Sequence, residues 1–539
     1  MTPHASAFGL LTMCFLMLFA CTHSADNPAL LTVPERSAYR STALHAEVLH
    51  FIAASAARDA RQCVVSFGLS EEGRNIAAVI CADPPLDSLD AAARDPRTKV
   101  LIIGSIHPGE CEGKEAIMEL LRALAAKEHD PWLRELVLVF LPDYNPDGTD
   151  AVKVLSRESQ AGPADGCGRR ETSKGLDLNR DFTKVEAAET KALLLALRTL
   201  DPLLTIDCHT TNGSYHGFDL TYAGPLSPAT DPALQKHART VLLPALRAGM
   251  NARGLLTFDY GNWRGNWWPD EPPRVWESYD HMPRYVINGI GLRNRFGLLS
   301  EAYVHRPFAE RIAATRALIT VALEHMCAHR STLAAVARAA DERASALPLQ
   351  GTLPLDAVLA DSGQAPIPSS GVVQRVDSAT GRRELHHSGQ VTWLLSETSV
   401  HFNGQLPVSV PWGFALTAPS PALENALIAH GIRFSKLQHE AAAEGESFAV
   451  HELRRAAQPF QGHRLVRLAA TLVPVQRTLQ PGTLVIPCGQ PLCRLVMLLC
   501  EPRSPDGFLA WGLIPVLQHL KETQVACFRL SRAPNPRDK

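Results

Sequence analysis

A chain of 539 residues exceeds one typical domain and can bury a large core. Its formal net charge of -2 offers no electrostatic footprint for nucleic acid or an anionic membrane surface. Hydrophobic residues make up 46% of the chain, which excludes a disordered polyelectrolyte and fits a packed globular protein.

Residues 1–21 read as a targeting segment. Phe8 to Ala20 is apolar, about the length of a signal-peptide core and too short for a comfortable membrane span. It ends in Leu18-Phe-Ala-Cys21, which resembles a bacterial lipobox in which Cys21 would be lipidated and become the mature N-terminus. No Lys or Arg precedes the run and Phe19 is bulky for its position, so simple cleavage near Ala25 stands as the alternative. Either route predicts an exported protein, periplasmic or membrane-anchored through Cys21. Of the 12 cysteines, eleven remain from Cys21 onward and ten without it; an even number allows pairing, and the spacing assigns no pairs.

From residue 40 to 347 the pattern predicts one α/β unit. Thr98 to Ile106 is an apolar, β-branched run ending in Gly and Ser, the signature of a buried strand in a parallel sheet. His107-Pro-Gly-Glu110 follows where the strand should end, and Glu112 to Lys127 has helical spacing with Ile117, Leu120, Leu121 and Leu124 on one face. The three-residue separation lets His107 and Glu110 point the same way across one turn. Alone, His-x-x-Glu is weak: with 21 histidines, about one chance match is expected in a chain of this length. Leu203 to His209 is a second buried-strand pattern ending in histidine, followed by the polar turn Thr210-Thr-Asn-Gly213. Two histidines and a carboxylate delivered at strand ends form a three-ligand set for a catalytic zinc with one position open. Asp177 is a candidate partner for the second nitrogen of a ligating histidine.

Between these segments lie Asn145-Pro-Asp-Gly148 and Gly175-Leu-Asp-Leu-Asn179-Arg180-Asp-Phe182. Later come a Trp-rich loop from Trp263 to Pro273, carrying Trp267 and Trp268, and the strand-like run Phe296-Gly-Leu-Leu-Ser-Glu301-Ala-Tyr303. Phe308 to Leu347 is strongly helical and should close the unit by packing on its sheet. Beyond Pro348 short β-branched runs (371–376, 390–395, 464–468, 483–486) alternate with Gly, Pro and Ser turns, and 422–431 and 491–500 read as helices. Residues 348–539 are thus expected to form a β-rich C-terminal domain of unassigned role. The pair Cys488 and Cys493 has no companion at zinc-finger spacing, so one zinc is expected rather than two.

The ordered set His-x-x-Glu, Asn-Pro-Asp-Gly, Asp-x-Asn-Arg, a histidine after a strand and a glutamate on a late strand resembles the zinc carboxypeptidase family, the carboxypeptidase A-like metallopeptidases, over roughly residues 40 to 335. The resemblance implies a carboxypeptidase-like α/β fold with a mixed sheet flanked by helices. It implies His107, Glu110 and His209 as ligands of one Zn²⁺ and Glu301 as general base. Arg180 with Asn179 would clamp the terminal carboxylate of a peptide, and Arg170 would stabilise the oxyanion, with Arg169 beside it leaving the register open by one. Tyr279 and Tyr285 are both candidates for the family's mobile tyrosine. The chemistry agrees with these roles: a guanidinium fork matches a carboxylate in two-point geometry, and a carboxylate near an activated water can shuttle its proton. Plainer alternatives exist for each, such as Arg180 pairing with Asp177 or Asp181, or Glu301 as a structural carboxylate.

The expected activity is removal of C-terminal residues from peptides bearing a free carboxylate. The alternatives are an N-acyl amino-acid deacylase of the aspartoacylase-like group, which shares the ligand set, and a catalytically inactive binding homologue. Asp181-Phe-Thr-Lys184 lacks the Phe-Pro-Gly that often follows Asn-Arg in the related deacylases, and this favours the peptidase. The residue removed and the oligomeric state are not legible.

Overall fold

The computed structural model describes residues 30–154, 156–264, 274–376, 383–519 and 522–536. The signal segment with Cys21, together with Trp267 and Trp268, lies outside the described residues. The first ten strands are β1 (Gln62–Leu69), β2 (Asn75–Cys81), β3 (Thr98–Ile103), β4 (Leu136–Leu141), β5 (Leu204–Thr210), β6 (Leu220–Ala223), β7 (Thr257–Asp259), β8 (Asn262–Trp263), β9 (Val275–Glu277) and β10 (Phe296–Ala302). Eight of them form one mixed sheet in the order β1-β2-β4-β3-β5-β10-β6-β7. Its middle, β4-β3-β5-β10, is parallel, and antiparallel pairs flank it on both sides.

The central strands are hydrophobic throughout because both faces are covered. Side chains alternate across the sheet: Val100, Ile102, Leu138, Phe140, Leu204 and Ile206 enter one core, and Leu101, Ile103, Val137, Val139 and Leu141 the other. On the first face lie helices His45–Ala56, Glu112–Ala125 and Phe308–Ser345, supplying Phe51, Ile117, Leu121, Leu318 and Ala322. On the second lie helices Ala188–Leu200 and Val286–Leu292, with Leu193, Leu197 and Ile290. The mixed, helix-flanked sheet agrees with the expected fold class, and the strands at 98–103, 204–210 and 296–302 agree with the predicted ones to within a few residues.

The region beyond Pro348 is strand-rich, as expected. Long hairpins run over Gln364–Val376 with Arg383–Ser399, and over Ala441–Arg455 with Val466–Leu479. Short helices stand at Pro421–His430 and Cys493–Cys500. This region meets the sheet directly. Leu495, Val496, Leu498 and Leu499 belong to the same apolar cluster as Leu101 and Ile103. Arg383–Ser399 also pairs with β9, so one small sheet holds strands from both sides of residue 348. Ten described cysteines are free thiols. Among the described residues no helix is long and apolar enough to cross a membrane.

Candidate metal centre and its cleft

The site lies at the carboxyl ends of the parallel strands, where an open α/β sheet presents its loops. After β3 the chain must pass against the loop after β4 and the start of helix Glu112–Ala125. A Cβ at Gly104 would sit 2.6 Å from the Pro142 carbonyl oxygen, so only glycine fits there. A Cβ at Gly113 would likewise meet Cys208 Cβ at 2.5 Å, and this close approach lays the helix start against β5. The turn His107–Glu110 is closed by the Glu110 amide donating to the His107 carbonyl at 2.8 Å. In the parallel register of β5 and β10, His209 stands directly opposite Glu301.

Together these elements gather His107, Glu110 and His209, whose ligand atoms all lie within 4.8 Å of one another and whose side chains are buried. His209 Nδ1 lies 2.9 Å from Glu110 Oε2, and His107 Nδ1 lies 3.2 Å from Glu110 Oε1. Each imidazole is held from behind by a carboxylate: His107 Nε2 meets Asp177 Oδ1 at 3.0 Å, and His209 Nε2 meets Asp207 Oδ2 at 2.8 Å. Both Nδ1 atoms therefore face the same point, and His107 Nδ1 is buried without a hydrogen-bond partner. An orphaned imidazole nitrogen beside a second imidazole and a carboxylate fits a zinc ion, with outer carboxylates that fix the tautomers.

The charges are strongly coupled. Burial would raise the Glu110 carboxyl, but His107 and Arg157 outweigh it and hold the group well below the usual range. Burial likewise opposes a charged His209, yet Asp207 and Glu110 carry it well above the ordinary imidazole value. Asp177 is pulled below the usual carboxylate range by His107 and Arg170 in spite of its burial. Glu301 goes the other way. Burial pushes it up to about 8, aided by Glu110 and Asp207 and opposed by His209 and Arg157.

The expected substrate residues line the same cleft, which also includes Tyr260, Tyr279, Tyr285 and Asn212. Arg170 bonds Asp177 Oδ2 through Nε at 2.9 Å and reaches Glu110 Oε1 at 3.4 Å. Arg169 turns instead to the carbonyls of Glu171 and Thr172, so Arg170 is the member of the pair that faces the centre. The Arg180 guanidinium stacks over the Tyr285 ring at 4.3 Å and bonds the Asn179 carbonyl at 2.8 Å. The carboxylates weighed as its partners are engaged elsewhere: Asp177 with His107 and Arg170, and Asp181 with Lys184 at 2.5 Å. Asn179 is built into the wall, its Oδ1 accepting from the Val286 amide at 3.0 Å and its Nδ2 lying 3.5 Å from His209 Nε2. Both tyrosines are present, with ring centroids 5.2 Å apart, and Tyr285 is the one against Arg180.

Arg157 is a site residue that the sequence reading lacks. It bonds Glu110 Oε1 at 2.6 Å and the carbonyls of Thr210 and Thr211 at 3.2 and 2.9 Å, tying the first ligand turn to the end of β5. Asp207 is a second such residue; its position two before His209 on a strand was the available signal, since i and i+2 share a face. Behind the site, buried Glu112 accepts from Thr210 Oγ1 and from the fully buried Arg311, locking helix Phe308–Ser345 to β5.

The mixed sheet thus brings two carboxylate-backed imidazoles and a carboxylate that could hold a metal ion into one cleft with a raised carboxyl. Residues 48–194 match the zinc carboxypeptidase family. Curated relatives are human carboxypeptidase D, 28% identical over 148 residues (25% of this chain, 10% of that one), and its mouse counterpart, 31% identical over 135 residues (22% and 10%). The match thus spans about a tenth of the length of these relatives. Similar solved structures include a metallo-carboxypeptidase from Burkholderia cenocepacia (18% identity, 52% of this chain and 69% of that one, TM-score 0.39). Another is bovine thrombin-activatable fibrinolysis inhibitor in complex with tick carboxypeptidase inhibitor (13% identity, 53% and 98%, TM-score 0.38).

Proposed function

We propose that this protein is a zinc-dependent carboxypeptidase that hydrolyses the last peptide bond of peptides with a free C-terminal carboxylate. What supports this reading above all is that one cleft is lined by His107, Glu110, His209, Glu301, Arg170 and Arg180. Zinc held by the first three would supply Lewis acidity to a water and to the scissile carbonyl. Glu301 takes a proton from the attacking water at a carboxylate oxygen and returns it to the leaving amine. Arg170, anchored on Asp177, presents a fixed cation beside the developing oxyanion, worth about 3 kcal/mol for a good donor. Arg180, kept in place by Tyr285 and the Asn179 carbonyl, receives the terminal carboxylate. The exported location, with attachment through Cys21, belongs to the same proposal; membrane extraction of the Cys21→Ser variant into the soluble fraction is its check.

The test is mass spectrometry after incubating the zinc-loaded protein with three substrate sets: free-acid peptides, their C-terminal amides, and N-acyl amino acids. Loss of single C-terminal residues from free acids only is the expected result. Equal cleavage of amides, or turnover confined to acyl amino acids, would overturn it.

A further inference from the structure

The residues that hold the substrate side of the cleft are themselves held by the C-terminal region. Two segments make that side: the turn Asp177–Arg180 and the stretch Arg284–Val286. They are one unit, because Asn179 Oδ1 accepts from the Val286 amide and Arg180 stacks on Tyr285. Each is gripped from beyond residue 348.

The turn is gripped by Gln461, at the tip of the connection between strands Ala441–Arg455 and Val466–Leu479. Its Oε1 accepts from the Asp177 amide at 2.9 Å, across 284 residues of sequence. Gln461 has φ 49° and Gly462 φ 79°, so two consecutive left-handed residues form this tip. His463 Nε2 meets Glu186 Oε1 at 2.7 Å, and Phe460 lies under the Arg284 guanidinium at 5.1 Å. The stretch is gripped by Asp506, which is wholly buried. It accepts from the Arg284 amide at 2.9 Å, from Arg284 Nη1 at 3.0 Å and from Trp511 Nε1 at 2.9 Å. Asp177 and Asp506 are themselves buried, so losing their bonds leaves a polar group short of a partner, and these two contacts define one pose.

We propose that Gln461 and Asp506 are positioning residues: through them the C-terminal region sets the pose of the Arg180–Tyr285 wall, and through Asp177 that of His107. The statement about the wall stands on geometry alone; its consequence for substrate rests on the carboxypeptidase reading above. Gln461 acts on the amide of the residue whose carboxylate backs a metal ligand, so its loss loosens ligand and clamp together. Asp506 acts on the backbone next to Tyr285, so its loss loosens the clamp.

The experiment uses the full, zinc-loaded chain with Gln461→Ala, Gln461→Glu and Asp506→Asn. Amide hydrogen exchange is followed in peptides covering 176–182 and 283–288, and KM and kcat are measured on a free-acid peptide. Gln461→Ala should speed exchange in 176–182 and raise KM by about 3- to 10-fold, the size of one lost hydrogen bond, with a smaller change in kcat. Gln461→Glu keeps the acceptor oxygen and should restore slow exchange. Asp506→Asn should speed exchange in 283–288 and raise KM in the same way. Unchanged exchange in both segments, or a fall in kcat with KM and exchange at parental values, overturns the proposal. If the parent cleaves no free-acid peptide, the carboxypeptidase reading fails on its own, and the exchange measurements still decide whether Gln461 and Asp506 hold the wall.

Discussion

Glu301 and Arg180 sit at opposite ends of the proposed reaction, and their variants should fail differently. Glu301→Gln keeps the shape but removes the proton acceptor, leaving the three ligands untouched. It should retain zinc and fold normally, yet lose turnover by ~10²–10⁴, with KM little changed because Arg180 remains. Metal analysis beside steady-state kinetics checks this; loss of zinc or of fold would make Glu301 structural. Burial pushes its carboxyl up to about 8, which favours the protonated form at neutral pH in the absence of a cation. A dication in the cleft must pull that value down, and activity should fall as pH drops through it, as one titration of a coupled group. Arg180→Lys replaces a planar fork by a point charge and cannot stack on Tyr285 in the same way. Its expected signature is a raised KM for free-acid peptides, by about tenfold or more, with the amides still uncleaved. If KM for free acids stays at the parental value, Arg180 is not the clamp. His107→Ala and His209→Ala should both release the metal, read by a chelator competition.

At the scale of elements, helix Ala188–Leu200 carries an unusual charge. Glu189 is fully buried near its start, accepts from the Glu71 amide at 3.1 Å through Oε1, and leaves Oε2 without a partner. Burial lifts its carboxyl from 4.5 to about 7, with Glu71 and Asp147 adding to the rise. A carboxyl raised in the folded state stabilises fully below its unfolded value, and that contribution is lost as pH rises through the folded one. The parent should therefore lose stability between about pH 5 and 8, by up to about 3 kcal/mol from this group. Glu189→Gln should flatten that slope and be the more stable protein at pH 8. Denaturant melts of both proteins at pH 5 and 8 check this, and a steeper slope in the variant would refute it. These elements also mark what was legible in the sequence. Strands β3, β5 and β10 announce themselves as apolar runs with His107, His209 and Glu301 at or just beyond their ends; the pattern suggested His107, Glu110 and His209 as ligands, while the role of Glu301 came only from the family resemblance. Asp177, Asn179 and Arg180 came from one short motif. Arg157, Gln461 and Asp506 were illegible for a physical reason: each acts on a residue 47 to 284 positions away, through side-chain hydrogen bonds that leave no periodicity. Arg169 and Arg170 could not be told apart until the backbone fixed which one turns to the centre.

For the whole molecule, the apolar cluster that joins Leu101 and Ile103 to Leu495, Val496, Leu498 and Leu499 decides how the chain should melt. One face of the central sheet is completed by residues from beyond Pro348, and the small sheet through β9 and Arg383–Ser399 crosses the same point. Full burial of a leucine or valine is worth about 1.5–3 kcal/mol, so those four side chains alone contribute on the order of 10 kcal/mol. That matches the entire net stability of an ordinary domain, about 5–15 kcal/mol. A chain ending at residue 347 would therefore expose this face and lose more than it can spare. It should be insoluble, or should bind an apolar dye and lack a cooperative transition. The full chain should unfold in one step, with fluorescence of Trp132 on the first side and Trp511 on the second giving the same midpoint. Chelation should lower that midpoint without splitting the transition, because the metal centre caps the sheet ends while the cluster spans both regions. Two separated transitions, or a soluble 40–347 fragment that keeps a sharp melt, would show that the two regions are independent and that the contacts across residue 348 are incidental.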